Sequence, residues 1–254
     1  MKAMIEIKNL SAGYREKEVL HGICVCLERG KLTSVIGVNG SGKSTFLKTI
    51  VGISSCFDGE ICLDGENVSN IKRNERAKKI AYLSQGSHVP NMTVSELVLS
   101  GRFPHLSYPR IYTERDREIA VAAMQRLGIA SLSDAPLSSL SGGMRQTAYI
   151  AMALAQDTEY ILLDEPTTYL DISHQLELMG ILRELADCGK GIITVMHDLP
   201  LAFASSDALV LLCDGRVRAS GTPDALCASD AIFDSFGVRI KKDSDGRYFY
   251  DVKK

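Results

Sequence analysis

Residues 37 to 45 read G-V-N-G-S-G-K-S-T, and no other stretch constrains the fold as tightly. The run K-L-T-S-V-I before it has the composition of a buried strand, and F-L-K-T-I-V after it has the spacing of an amphipathic helix. A strand, a glycine-rich loop and a helix in that order form a unit whose backbone N–H groups turn inward on phosphate, with the helix N-terminus adding its dipole. Glycines at 37, 40 and 42 supply the left-handed and close-approach conformations that this turn needs. Lys43 adds a compact charge at the β and γ phosphates, and Ser44 offers a hydroxyl to Mg²⁺. Gly37, Asn39, Gly40, Ser41, Gly42, Lys43, Ser44 and Thr45 are therefore the candidate triphosphate-binding residues.

The chain has 254 residues, 45% hydrophobic and 24% charged, enough for one large domain or a core with an insert. Its 29 basic and 31 acidic residues leave a net charge of -2, which argues against a surface made to hold nucleic acid. No window approaches the roughly eighteen apolar residues of a membrane span, and the start M-K-A-M-I-E-I-K-N-L lacks a signal-peptide apolar region, so a cytosolic chain is expected. Seven cysteines at 24, 26, 56, 62, 188, 213 and 227 show neither disulfide nor zinc spacing. Cys24 and Cys26 alternate with Val25, which places both thiols on one strand face, and they are read as small buried hydrophobes.

The first forty residues read as strands, M-I-E-I-K-N-L, E-V-L-H-G-I-C-V-C-L and K-L-T-S-V-I-G, with Gly13 and Gly30 as turn residues between them. Hairpins are expected at Asp64-Gly65 and at Asp214-Gly215, and K-K-I-A-Y-L-S-Q as a short strand ending at Gln85. From Thr93 to about Gln156 the pattern is helical, with Thr113 capping the second helix and Gly128 ending it. Y-I-L-L-D-E-P and G-I-I-T-V-M-H are central strands of a parallel sheet joined by a helix from about Ile172 to Asp187. The fold class is thus an α/β phosphate-loop core with an N-terminal antiparallel β layer and an inserted helical subdomain. Its expected division is core at 1–86 and 157–222, helical insert at 87–156, and a short C-terminal extension at 223–254, whose tail from Phe236 reads as polar and peripheral.

Two adjacent carboxylates, Asp164 and Glu165, end the strand I-L-L-D-E. Asp164 is placed to support Mg²⁺ and Glu165 to orient and deprotonate a water. L-S-G-G-M-R-Q at 140 to 146 opens a second helix with a small polar residue and two glycines, a second anion-binding helix start. A single triphosphate seldom needs both cradles from one chain, so the economical reading is a dimer in which each copy supplies half of each site.

In this order the motifs resemble the nucleotide-binding subunit of an ABC transporter over essentially the whole length. Gly37 to Thr45 match its first phosphate motif, Gln85 its hinge-loop glutamine, Ser141, Gly142 and Gly143 its signature, and I-L-L-D-E-P its second nucleotide motif. Leu170-Asp171 match the turn that follows, His197 the switch histidine, and Tyr14 the aromatic that stacks on adenine; Met144 departs from a frequent Gln. The resemblance implies ATP hydrolysis by Lys43, Glu165 and His197 and Mg²⁺ at Ser44, Gln85 and Asp164. It also implies a second copy as partner, integral membrane permease subunits contacting the region just after Gln85, a substrate-binding protein acting indirectly, and a peripheral place for this chain at the cytoplasmic face of the membrane. His21, His88, His105 and His174 have no metal spacing and are read as structural.

E-L-V-L-S-G-R-F-P-H at 96 to 105, A-M-A-L-A-Q-D-T at 151 to 158 and L-L-D-E-P-T-T-Y-L-D-I-S-H-Q at 162 to 175 are similar to importers of iron chelates, haem and cobalamin. Two other readings stand beside that one: an ABC ATPase with no membrane partner or another substrate, and a phosphate-loop kinase or GTP switch. Against the last, the chain has no guanine-reading N-K-x-D segment.

Overall fold

The computed structural model describes residues 3–85 and 89–251. β1 (Met4–Tyr14) and β2 (Lys17–Glu28) form an antiparallel pair. They turn at Arg15 and Glu16, not at Gly13, which lies inside β1 at a register shift. A Cβ there would sit 2.0 Å from the Lys17 carbonyl oxygen, so glycine serves a close strand approach and not the turn. β3 (Leu32–Ile36), buried throughout, feeds the glycine-rich loop and α1 (Lys43–Ile50). β4 (Ser55–Leu63) and β5 (Glu66–Asn67) follow, joined at Asp64 (φ 51°) and Gly65 (φ 89°), the doubly left-handed turn that matches strand twist.

α2 (Arg73–Lys79) leads into β6 (Ile80–Leu83), and the helical stretch comprises α3 (Val94–Ser100), α4 (Glu114–Arg126) and α5 (Gly142–Ala155). Thr93 and Thr113 begin α3 and α4 with reciprocal caps to Glu96 and Asp116. Then come β7 (Tyr160–Asp164), α6 (Ile172–Asp187), β8 (Gly191–Val195) and α7 (Leu199–Ser205). β9 (Ala208–Cys213) and β10 (Arg216–Gly221) form the second Asp-Gly hairpin, and α8 (Pro223–Cys227), α9 (Ala231–Phe236), β11 (Arg239–Lys242) and β12 (Tyr248–Asp251) complete the order.

The strands form an antiparallel sheet ordered β2-β1-β4-β5 and a larger sheet ordered β10-β9-β3-β8-β7-β6, parallel except for the β10 edge. Strand alternation divides the interior in two. Leu162, Val195 and Leu212 face Ile5, Leu27 and Phe46, so α1 is clamped between the sheets. Ile161, Ile192 and Leu211 face the other way, toward α6, α7 and the helical stretch. Each such side chain contributes about 1.5–3 kcal/mol by burial, which fixes the carboxyl ends of β3, β7 and β8 along one line.

Two expectations change. Cys24 and Cys26 share a face of β2, but it is the solvent face, and both are exposed; Ile23 and Leu27 hold the buried side. The expected polar tail instead folds as the β11–β12 hairpin, with Ile240 buried and the Tyr248 ring 5.4 Å from that of Phe203.

Candidate functional site

The loop between β3 and α1 owes its shape to glycine at two points. Gly40 (φ 80°) and Gly42 (φ 98°) lie in the left-handed region, and a Cβ on Gly42 would come 2.7 Å from Leu20 Cδ2. Lys43 is buried, and its ammonium donates to the carbonyls of Gly37 (2.8 Å) and Val38 (3.0 Å). Burial pushes the Lys43 pKa below the usual lysine range, against the opposing pull of Glu165 and Asp164. Ser41 Oγ is buried with no hydrogen-bond partner among the described residues. An orphaned hydroxyl, a desolvated ammonium and a helix start facing one loop form a donor set suited to a polyanion.

Asp164, at the end of β7, is 2% exposed. Its Oδ1 accepts from Ser44 Oγ at 3.0 Å and its Oδ2 from the Tyr82 hydroxyl at 3.5 Å. Burial raises its pKa above the usual carboxylate range, the Glu165 charge adds to this, and the two hydroxyls oppose it. Glu165 follows at φ 56°, a left-handed conformation for a residue with a side chain, the kind of strain that a surrounding site must hold in place. Its Oε2 accepts from the Gln85 amide and, at 3.4 Å, from Thr168 Oγ1; its Oε1 lies 2.5 Å from His197 Nε2. Lys43, Ser44, Gln85, Glu165 and His197 line a single cleft of about 690 Å³. Within it, His197 is 45% exposed and Glu165 13%, so the carboxylate is shielded while the imidazole meets solvent.

Tyr14, 42% exposed at the end of β1, accepts from Thr45 Oγ1 at 3.5 Å. Ser141 caps α5 by accepting from Met144 N at 3.3 Å. Gly142 and Gly143 lie against Tyr169, whose carbonyl oxygen would be 3.2 Å from a Cβ on Gly143. Ser141, Gly142 and Gly143 line a second cleft of about 740 Å³ with Leu170 and Asp171, and none of its lining residues belongs to the first. The expected contact region just after Gln85 falls on residues 86–88, His88 included, outside the described residues. His21 pairs with Glu18, His174 with Asp171, and His105 Nε2 meets the Gln156 carbonyl. Sequence reading assigned no role to Tyr82, which reaches Asp164 only once strand register sets β6 beside β7, or to Thr168, which lies inside the 162–175 string and reaches Glu165 across a local turn.

A sequence model of the ABC transporter family matches residues 20–168. The chain is 39% identical over 239 residues to the Escherichia coli (strain K12) ferric enterobactin transport ATP-binding protein FepC, spanning 93% of this chain and 88% of that one. It is 38% identical over 245 residues to the Bacillus subtilis (strain 168) iron(3+)-hydroxamate import ATP-binding protein FhuC, spanning 96% and 91%. Among solved structures, a metal-chelate type ABC transporter in an inward-facing conformation superposes with a TM-score of 0.83 at 25% identity, over 100% of this chain and 99% of that one. A nucleotide-free ATP-binding cassette superposes at 0.79 with 23% identity over 97% of each, a likeness of fold. With its phosphate loop, Glu165 and His197 in one cleft and Asp164 bonded to Ser44 beside it, the chain belongs to the ABC transporter family, as an ATP-binding subunit that hydrolyses ATP.

Proposed function

We propose that this chain powers the import of iron-siderophore or a related metal chelate across the cytoplasmic membrane, working as a pair of copies on the cytoplasmic side of permease subunits that a binding protein supplies. The observation that carries the paired arrangement is the separation of the two clefts. Lys43, Ser44, Glu165 and His197 line one, Ser141 to Gly143 line another, and the two share no residue. A second copy turned to face the first would bring each phosphate loop against the other's Ser141. The chelate reading draws on the relatives, named for ferric enterobactin and iron(3+)-hydroxamate. Among the described residues no helix is long and apolar enough to cross a membrane, in keeping with permeases on other chains. The division into a core at 1–86 and 157–222, an insert at 87–156 and an extension at 223–254 belongs to the same proposal.

In the proposed cycle Lys43 leaves the Gly37 and Val38 carbonyls for the β and γ phosphates, and Ser41 gives its hydroxyl to the same group. Tyr14 packs on adenine. Ser44 and Asp164 present hard oxygen donors on neighbouring atoms, with Gln85 completing the set, a composition that suits Mg²⁺. When bound there, the ion would offset phosphate charge. Glu165 takes the proton of the attacking water, and His197, in contact with it, steadies the carboxylate.

The test is Glu165→Gln, which retains the shape of the side chain. It is expected to bind ATP, accumulate a dimer on size exclusion and lose turnover by roughly 100-fold or more. Unchanged turnover would sink the role of Glu165. Co-purification with an integral membrane protein separates an importer subunit from an ATPase that acts alone.

A further inference from the structure

Asp164 is held from two sides by groups from different parts of the fold. Ser44, in the first turn of α1, takes Oδ1, while Tyr82, on β6, reaches Oδ2. β6 and β7 run parallel with Tyr82 opposite Leu162, so the phenol extends along the strand direction to meet a carboxylate two residues further on. A carboxylate held by one oxygen can still swing about its last, soft torsion. A second donor stops that swing. The Tyr82 ring packs on the α1 side of the sheet, against the cluster that holds Phe46 and Leu162.

We propose that Tyr82 is a positioning residue for the divalent cation: its hydroxyl fixes the plane of Asp164 from the side of the sheet that faces α1. This rests on the reading of Ser44 and Asp164 as cation ligands. If Ser44 turns toward a bound ion, Tyr82 remains as the outer hydrogen bond that orients the ligand carboxylate. Loss of such a partner typically lowers metal affinity 10- to 100-fold, and a bond at the long end of the range belongs near the lower bound, roughly tenfold.

The experiment compares binding of Mn²⁺·ATP with binding of ATP in EDTA, on the full chain and on Tyr82→Phe, with the melting midpoint as a check on folding. The expected result is a roughly tenfold weaker affinity for Mn²⁺·ATP, no change for ATP in EDTA and the same midpoint. Equal Mn²⁺·ATP affinity in Tyr82→Phe overturns the inference, as does an equal loss in EDTA, which would assign the hydroxyl to the nucleotide. Asp164→Asn separates the two ideas. If it removes the metal-dependent increment and Tyr82→Phe does not, only the Tyr82 role falls; if Asp164→Asn retains the increment, the reading of the cation site falls and takes Tyr82 with it.

Discussion

Two loops of this chain end in the N-terminus of a helix, and they differ in how far the fold completes them. The loop before α1 is enclosed. Lys43 is bonded to two carbonyls of its own loop, Ser44 is bonded to Asp164, and Gln85 and His197 both contact Glu165. The loop before α5 has a cap and two small residues, with Tyr169 and Leu170 beside it. It can donate hydrogen bonds to an anion, while Lys43, Glu165 and His197 line the other cleft. One region thus holds chemistry waiting for a ligand, and the other holds a ligand-binding edge waiting for chemistry. The difference means that occupying the first site need not be enough for turnover.

The largest test of that contrast is a mixing experiment. Lys43→Ala should lose roughly 100-fold in ATP affinity, since a charged donor is removed from a buried site. Ser141→Arg should bind ATP normally as a single chain and fail to turn over. Neither hydrolyses alone, yet an equimolar mixture is expected to recover activity, because a mixed pair contains one intact Lys43 facing one intact Ser141. ATPase rate against mixing ratio is the measurement. A mixture as inactive as its components would end the idea that the two loops are halves of one site.

A smaller effect comes from adding one carbon to each loop. In Gly42→Ala the methyl group enters at φ 98° and 2.7 Å from Leu20 Cδ2, at an expected cost of about 1–3 kcal/mol in unfolding free energy, with weaker ATP binding. In Gly143→Ala the new carbon meets the Tyr169 carbonyl oxygen at 3.2 Å in a position that is already helical. Stability is expected to stay within about 0.5 kcal/mol and single-chain ATP binding to hold, while ATP-driven pairing falls. Denaturant melts alongside ATP titrations decide it; equal destabilisation in both would mean that the second loop is as enclosed as the first.

Much of the enclosed region could be read from the chain because its signals are local. Asp-Gly pairs announce both hairpins, and the Ile172–Asp187 helix has its bounds in a cap at Asp171 and its apolar spacing. The phosphate loop is a contiguous string. What was not legible is what sheet order decides. Alternation placed Cys24 and Cys26 on one face of β2 but could not say which, and the outer strand of the antiparallel sheet turns that face to solvent. Gly13 looks like a turn residue, yet its reason is a backbone 2.0 Å from where a Cβ would be. Tyr82 sits in an ordinary strand sequence, and its value at the site exists only once β6 lies beside β7. The tail reads as polar and peripheral, and its charged residues gave no sign of the hairpin in which Ile240 and Tyr248 pin it.

The smallest expected effect concerns how the less complete loop is supported. Beside its apolar packing on α3 and α4, the end of α5 is tied to α4 by one guanidinium: Arg102 Nε donates to Asp116 Oδ1 at 3.0 Å, and its NH1 donates to the carbonyls of Ala155 (3.0 Å) and Gln156 (3.4 Å). Both side chains of the pair are 9% exposed. Burial alone would raise the Asp116 pKa, but hydrogen bonds from the Thr113 hydroxyl and N–H, with the Arg102 charge, outweigh it and hold the group at about 2 against 3.8 unfolded. A depressed carboxylate stabilises above its unfolded pKa, and that contribution is lost as pH falls through the folded value. Between pH 5 and pH 3 the native chain should therefore lose about 1 kcal/mol that Asp116→Asn does not lose. Over that same interval Asp116→Asn, some 3 kcal/mol less stable at neutral pH, should close part of the gap. Paired denaturant midpoints across the interval give the difference directly, and a constant gap would mean that the ion pair does not titrate with folding. Because the pair anchors the far end of the helix that starts at Ser141, ATP-driven pairing in Asp116→Asn is expected to weaken while ATP binding by the single chain, which depends on the enclosed loop, stays as it was.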